Sequence, residues 1–192
     1  MIKVVILDFF GVVCGKGLWR TYEIAGGDLE KDHDYIEAVV DKEAVNAISN
    51  DEFHQMIGER LGMTAQEWKA IHDMHDGPNE DTLELIRELK KEYRIVLLSN
   101  AGKGVVQERL STEQLALFDA VVVSGEVGFA KPNAKIYQYA AEKVGVDLNE
   151  CVFTDDHAEY LLGAEAVGMK TILFSDAARF KFEFERLVSQ HE

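Results

Sequence analysis

The chain has 192 residues, 47% of them apolar, which suits one domain with at most a small insertion and argues against intrinsic disorder. Lys and Arg number 20 against 35 Asp and Glu, a net charge of −15, so the positive footprint that nucleic acid or an anionic membrane requires is missing. Cys14 and Cys151 lie in unlike contexts and make no disulfide framework, which points to a reducing compartment. The N-terminal apolar run is broken by Lys3 and Asp8 and lacks a small-residue cleavage site, so no signal peptide is predicted. No apolar stretch approaches the ~20 residues of a membrane helix. The expectation is a soluble, cytoplasmic protein.

The first predicted strand is Ile2–Leu7, closing on Asp8. Residues 14–79 follow with no strand signal. Helical periodicity recurs there over 34–48, over 51–61 with a stop at Gly62, and over 65–75. Thr64 and Glu67 form a Thr-x-x-Glu capping box before the last of these. Gly11, Gly15 and Gly17 at the entrance and Gly77-Pro78 at the exit read as hinges. Trp19, Tyr22 and Trp68 are expected to form the insertion's own core, and the acidic run Asp28 to Asp34 a solvated face.

A helix over 80–92 then places Leu83, Ile86 and Leu89 on one side. Strand Ile95–Leu98 closes on Ser99-Asn100. Strand Ala120–Val123 is followed by Lys131-Pro132-Asn133 and a helix over 133–144. Strand Cys151–Phe153 closes on Thr154-Asp155-Asp156 ahead of a helix over 157–167. Strand Thr171–Phe174 and a helix over 176–188 end the chain, with Phe180 and Phe184 on one face and Phe182 off it. The strands are apolar throughout, as in a sheet covered on both faces. The alternation predicts an α/β, Rossmann-like parallel sheet with a small inserted helical cap. Residues 1–13 and 80–192 form the core domain and residues 14–79 the insertion.

Ligands of open parallel sheets bind at the carboxyl ends of the strands. There the sequence places Asp8, Ser99, Asn100, Lys131, Asp155 and Asp156. Grouped carboxylates repel unless a cation lies between them, and oxygen donors suit Mg²⁺. Asp8 is a candidate carboxylate nucleophile. Ser99 and Lys131 are candidates to hold phosphoryl oxygens, with backbone N–H groups around Phe9 to Val12 adding donors.

These motifs resemble those of the haloacid dehalogenase (HAD) superfamily. They read Asp8-Phe9-Phe10-Gly11-Val12-Val13, Leu97-Leu98-Ser99-Asn100, Ala130-Lys131-Pro132-Asn133 and Val152-Phe153-Thr154-Asp155-Asp156. The insertion sits where one branch of the family carries a small helical cap. The resemblance implies that Asp8 is both nucleophile and metal ligand. It implies that Asp155, Asp156 and the Phe10 backbone carbonyl complete a Mg²⁺ site. Ser99 and Lys131 would hold the phosphoryl group, with Phe9, Phe10 and Asn100 as neighbouring substrate contacts. The implied activity is hydrolysis of a small phosphorylated metabolite through an aspartyl-phosphate.

In phosphatases of this family the residue two after the nucleophile is usually a second Asp, which serves as acid and base. Here it is Phe10. Four readings remain open. The first is a phosphatase whose missing group comes from elsewhere, with His72, His75 and His157 as candidates. The second is a protein that binds a phosphorylated ligand or partner without turnover. The third is a 2-haloacid dehalogenase, a branch with an aromatic residue here but without the full acidic pair. The fourth is a phosphonate-cleaving enzyme, which needs a Schiff-base lysine, with Lys16, Lys31, Lys42 and Lys69 as candidates.

Overall fold

The computed structural model describes residues 1–15, 17–75 and 77–189. β1 is Val4–Asp8. Four helices follow: α1 Gly17–Ile24, α2 Leu29–Ala44, α3 Asn50–Leu61 and α4 Ala65–His75. Then come α5 Glu80–Leu89, β2 Arg94–Ser99, the short helices α6 Val105–Arg109 and α7 Thr112–Leu115, β3 Ala120–Val123, and the single turn α8 Ser124–Val127. The chain continues through α9 Ala134–Lys143, β4 Cys151–Asp155, α10 Ala158–Ala166, β5 Lys170–Leu173 and α11 Ala177–Ser189.

All strand pairs are parallel, in the order β3-β2-β1-β4-β5, as the apolar runs predicted. β1 is central, and strand order reverses direction between β1 and β4. The crevice at that point is where ligands of such sheets bind. Alternation divides β1 between two cores. Val5 and Leu7 pack with Leu83 and Ile86 of α5 and Phe180 and Phe184 of α11. Val4 and Ile6 pack on the other face with Ile136 and Ala140 of α9 and Leu161 of α10. Phe182 is exposed, as its place off the Phe180–Phe184 face predicted. Among the described residues, no helix is long and apolar enough to cross a membrane.

The helices α1 to α4 bury a core of their own, centred on Tyr22, Ile36, Ile57 and Trp68. The Thr64–Glu67 capping box forms, with Glu67 N–H on Thr64 Oγ1 at 3.2 Å and Thr64 N–H on Glu67 Oε2 at 2.8 Å. The acidic run at the start of α2 is not wholly solvated. Asp32 is buried, accepts a hydrogen bond from Tyr22 at 2.7 Å and pairs with Arg60 of α3, because its side of the helix faces α1 and α3. α2 also spans 29–44 rather than 34–48. It ends where Asn46 turns left-handed at φ 57°.

The insertion leaves and rejoins the core side by side. Gly15 N–H bonds Gly77 O at 3.0 Å, Asn79 N–H bonds Val13 O at 2.8 Å, and Cys14 bridges Pro78. Cys14 is buried and in no disulfide, in keeping with a small filler at this seam. Two further seams tie the layer down. At the end of α2, Glu43 Oε2 accepts Gly102 N–H at 3.0 Å, Asn46 bridges Lys103 N–H and Gly125 O, and Ser124 Oγ donates to Ala44 O. At α4, Asp73 pairs with Arg109 of α6 at 2.7 Å.

Candidate active site

The chain after β1 folds back at once. Phe9 O accepts N–H groups from Val13 at 2.9 Å and Cys14 at 2.7 Å. Gly11 makes this turn at φ +84°, a region that costs any residue with a Cβ. It also passes hard against the acidic pair. A Cβ on Gly11 would stand 2.5 Å from Asp156 Oδ2. The glycine of the first motif thus makes room for the last acid of the fourth. Positive φ is legible in sequence as a glycine turn, but its partner across the sheet is not.

Asp8, Asp155 and Asp156 meet at the rim, their ligand oxygens all within 4.8 Å of one another. Two oxygens on one Mg²⁺, at ~2.1 Å from it, lie roughly 3–4 Å apart, so this set fits one hard ion. Asp8 and Asp155 are buried, and Asp156 has a side-chain exposure of 7%. The fully oxygen donor set, two of its members taken out of water, is what such an ion offsets.

Lys131 enters from the loop before α9. Its Nζ lies 2.5 Å from Asp8 Oδ1 and 2.6 Å from Asp155 Oδ2, with the side chain 1% exposed. Burial alone would lower its pKa, but the charges of Asp8 and Asp155 overcome it and hold the ammonium above its usual range. Burial holds the Asp8 carboxyl above the ordinary carboxylate range, against the pull of Lys131 and with a push from Asp155. Asp155 also accepts His157 N–H on Oδ1 at 2.8 Å, so α10 begins on the side chain that it anchors.

The Asn100 side chain is engaged within the rim itself. Its Oδ1 accepts Lys131 N–H at 2.8 Å and its Nδ2 donates to Lys131 O at 2.9 Å. Both ends of the amide bracket the lysine's backbone, because the loops after β2 and before α9 run side by side there, and the same side chain also meets the Tyr160 hydroxyl. Ser99 Oγ, by contrast, is buried and without a hydrogen-bond partner among the described residues. An orphaned hydroxyl at the carboxyl end of β2, the strand next to the one that carries Asp8, suits an incoming oxygen anion.

Two of the turn's N–H groups are engaged within the turn itself. Gly11 N–H is spent on Cys14 O at 2.9 Å, and Val12 N–H lies 3.4 Å from Phe9 O. The Phe10 carbonyl stands at a turn fixed by the Phe10–Cys14 bridge. The half-buried Phe10 ring packs edge-on against buried Phe9, with centroids 4.8 Å apart.

His72 does not reach over the site. It is buried inside the helical layer, stacked on Trp68 at 5.2 Å and beside His54 at 5.6 Å. Its place on the inner face of α4 directs it there. The His75 side chain and Asp76 lie outside the described residues. His157 is exposed, with Nε2 3.8 Å from Asp156 Oδ1. Of the Schiff-base candidates, Lys31 pairs with Asp28, Lys69 with Asp73, and Lys42 is exposed. Lys16 lies outside the described residues.

A model of the haloacid dehalogenase-like hydrolase family matches residues 2–168. N-acylneuraminate-9-phosphatase from Homo sapiens is 32% identical over 109 residues, 56% of this chain and 44% of that protein. The match thus spans less than half the length of that relative. Sesquiterpene phosphatase astK from Aspergillus oryzae is 26% identical over 146 residues, 73% of this chain and 74% of that protein. The HAD family enzyme bt-2542 from Bacteroides thetaiotaomicron, solved in complex with magnesium and inorganic phosphate, shares the fold with a TM-score of 0.70. It is 22% identical, over 91% of this chain and 95% of that one. The chain belongs to the haloacid dehalogenase-like hydrolase family.

Proposed function

We propose that the protein is a Mg²⁺-dependent phosphatase of a small phosphorylated metabolite, with Asp8 as nucleophile. The observation that carries this reading is the meeting of three carboxylates within 4.8 Å, bridged by a buried lysine, at the carboxyl edge of the central strand. Two of its relatives are phosphatases by name.

Asp8, Asp155, Asp156 and the Phe10 carbonyl would hold the metal. When bound, it supplies positive charge against the phosphoryl oxygens. Lys131 engages Asp8 Oδ1. Oδ2 is therefore the oxygen proposed to attack phosphorus. The bond from phosphorus to the ester oxygen breaks, and that oxygen leaves with the electron pair and takes a proton. Water then attacks the phosphorus of the Asp8 phosphate, releasing inorganic phosphate and restoring the carboxylate. Ser99 Oγ and Lys131 Nζ hold the phosphoryl oxygens as charge develops. Residues 14–79 act as a cap, leaving room for a metabolite rather than a folded macromolecule.

Phe10 supplies no proton, and general acid–base help is worth ~10²–10⁴ in rate. The reading therefore calls for substrates with good leaving groups, or for a proton from water or from His157 beside Asp156. The test is a panel of phosphorylated metabolites with and without Mg²⁺. Asp8→Asn should abolish metal-dependent phosphate release by more than about 10³-fold. Tight binding of phosphate or a mimic with no turnover on any substrate would instead assign a binding protein. Halide release from a haloacid without metal would assign a dehalogenase, against which the complete Asp155–Asp156 pair stands.

A further inference from the structure

The Lys131 ammonium is held by more than its two carboxylates. Its Nζ lies 4.8 Å from the centroid of the Tyr160 ring and 5.5 Å from that of Phe153. Phe153 belongs to β4 and is fully buried. Tyr160 comes from the first turn of α10 and is half-buried, so it forms the outer wall of this enclosure.

The ring is placed deliberately by its surroundings. Tyr137 of α9 donates its hydroxyl to Tyr160 O at 2.7 Å. One turn further along α10, Gly163 lies against the Lys131–Pro132 turn. A Cβ there would stand 2.7 Å from Pro132 O and 2.9 Å from Pro132 Cβ. Only a helix without a side chain at 163 approaches that turn so closely, and the approach carries the Tyr160 ring over the lysine. The His157 ring packs beside that of Tyr160, with centroids 5.4 Å apart.

A lysine ammonium is a compact charge on a flexible stem, and it is readily drawn toward water. A ring face attracts the cation and at the same time excludes water from it. We propose that Tyr160 is a positioning residue, whose ring closes an aromatic collar around Lys131 and fixes Nζ between Asp8 and Asp155. The Tyr160 hydroxyl also meets the Asn100 side chain; the proposed collar acts through the face of the ring, and Tyr160→Phe removes the hydroxyl contact while keeping that face.

The consequence for turnover rests on the phosphatase reading, but the collar itself does not. The test therefore has two arms on full-length wild type, Tyr160→Phe and Tyr160→Leu. In the first, lysine labelled with ¹⁵N at Nζ is followed by NMR. The Lys131 signal is assigned by its loss in Lys131→Arg. Wild type and Tyr160→Phe should show a ring-shifted, slowly exchanging ammonium, and Tyr160→Leu should lose both features. In the second, Mg²⁺-dependent hydrolysis of p-nitrophenyl phosphate should lose about 5- to 30-fold in kcat with Tyr160→Leu, the span of a desolvated cation–π contact. KM should change little, and Tyr160→Phe should recover most of the rate. An unshifted Lys131 signal in wild type, or equal losses in Phe and Leu variants, overturns the proposal. The NMR pattern without turnover in any variant supports the collar and sinks the phosphatase reading instead.

Discussion

Phe10 lies two residues after the proposed nucleophile, and the Ser99 hydroxyl is buried with no hydrogen-bond partner among the described residues. Both invite substitution. Phe10→Asp should raise the hydrolysis of poor leaving groups by about 10²-fold or more if proton supply limits the rate. The measurement is kcat on an alkyl phosphate against p-nitrophenyl phosphate, and the gain should be larger on the alkyl ester. Ser99→Ala should separate function from stability. It removes a buried, unpartnered hydroxyl, a group that costs roughly 1–3 kcal/mol where unsatisfied, so Tm should rise while phosphate-ester turnover falls. At this scale the meeting of Asp8, Lys131 and the acidic pair was legible because Asp8 and the pair close apolar strands and Lys131 sits just before a helix. The duty of Asn100 was not, since spacing along the chain does not say which backbone an amide will face.

Strand positions read well from sequence, and so did most of the long helices, although α2 begins at Leu29 rather than 34 and α1 was not foreseen. The short ones did not. α6, α7 and α8 have five, four and four residues, too few for a 3.6-residue period to show. The turns between elements carry two further predictions. Gly11→Ala should cost roughly 1–2 kcal/mol from the left-handed backbone alone. Its Cβ also meets Asp156, so the variant should need more Mg²⁺ for half-maximal activity as well as losing stability to urea. Asn46 is the one described residue other than glycine with positive φ. Asn46→Gly keeps that backbone but gives up the bonds to Lys103 and Gly125. Asn46→Ala gives up both. Urea unfolding should therefore rank wild type above Gly and Gly above Ala, with about 1 kcal/mol between the last two.

For the molecule as a whole, two histidines buried in the helical layer set an acid limit. Burial first, then the charges of Lys69 and Arg109, pushes His54 down to about 4, with Asp73 and Asp51 opposing. Burial, then Arg109 and His54, pushes His72 down to about 3, with Asp73 opposing and Lys69 adding to the fall. The unfolded chain takes up protons near pH 6.5 that the folded layer refuses. Stability is thus complete above that pH and falls as pH drops toward 4 and then 3. By pH 5 the loss should be on the order of 1–2 kcal/mol per histidine. Asp8, raised by burial, runs the opposite way, so the check compares urea unfolding of wild type and His54→Phe at pH 7 and pH 5. His54→Phe should remove about half of the histidine loss. The whole-molecule plan was readable in order and layer, because strand and helix signals alternate cleanly outside residues 14–79. The docking of that segment was not, because its contacts through Glu43, Asn46 and Asp73 are polar and long-range.

Gly15 and Gly77 are hydrogen-bonded to one another, so the polypeptide departs from the sheet and returns at a single doorway. Whatever hangs from that doorway can be lengthened, shortened or exchanged without re-registering any strand. The inserted layer and the sheet edge that holds Asp8, Asp155 and Asp156 are thereby separate stretches of chain, each open to change without disturbing the other's backbone pairing.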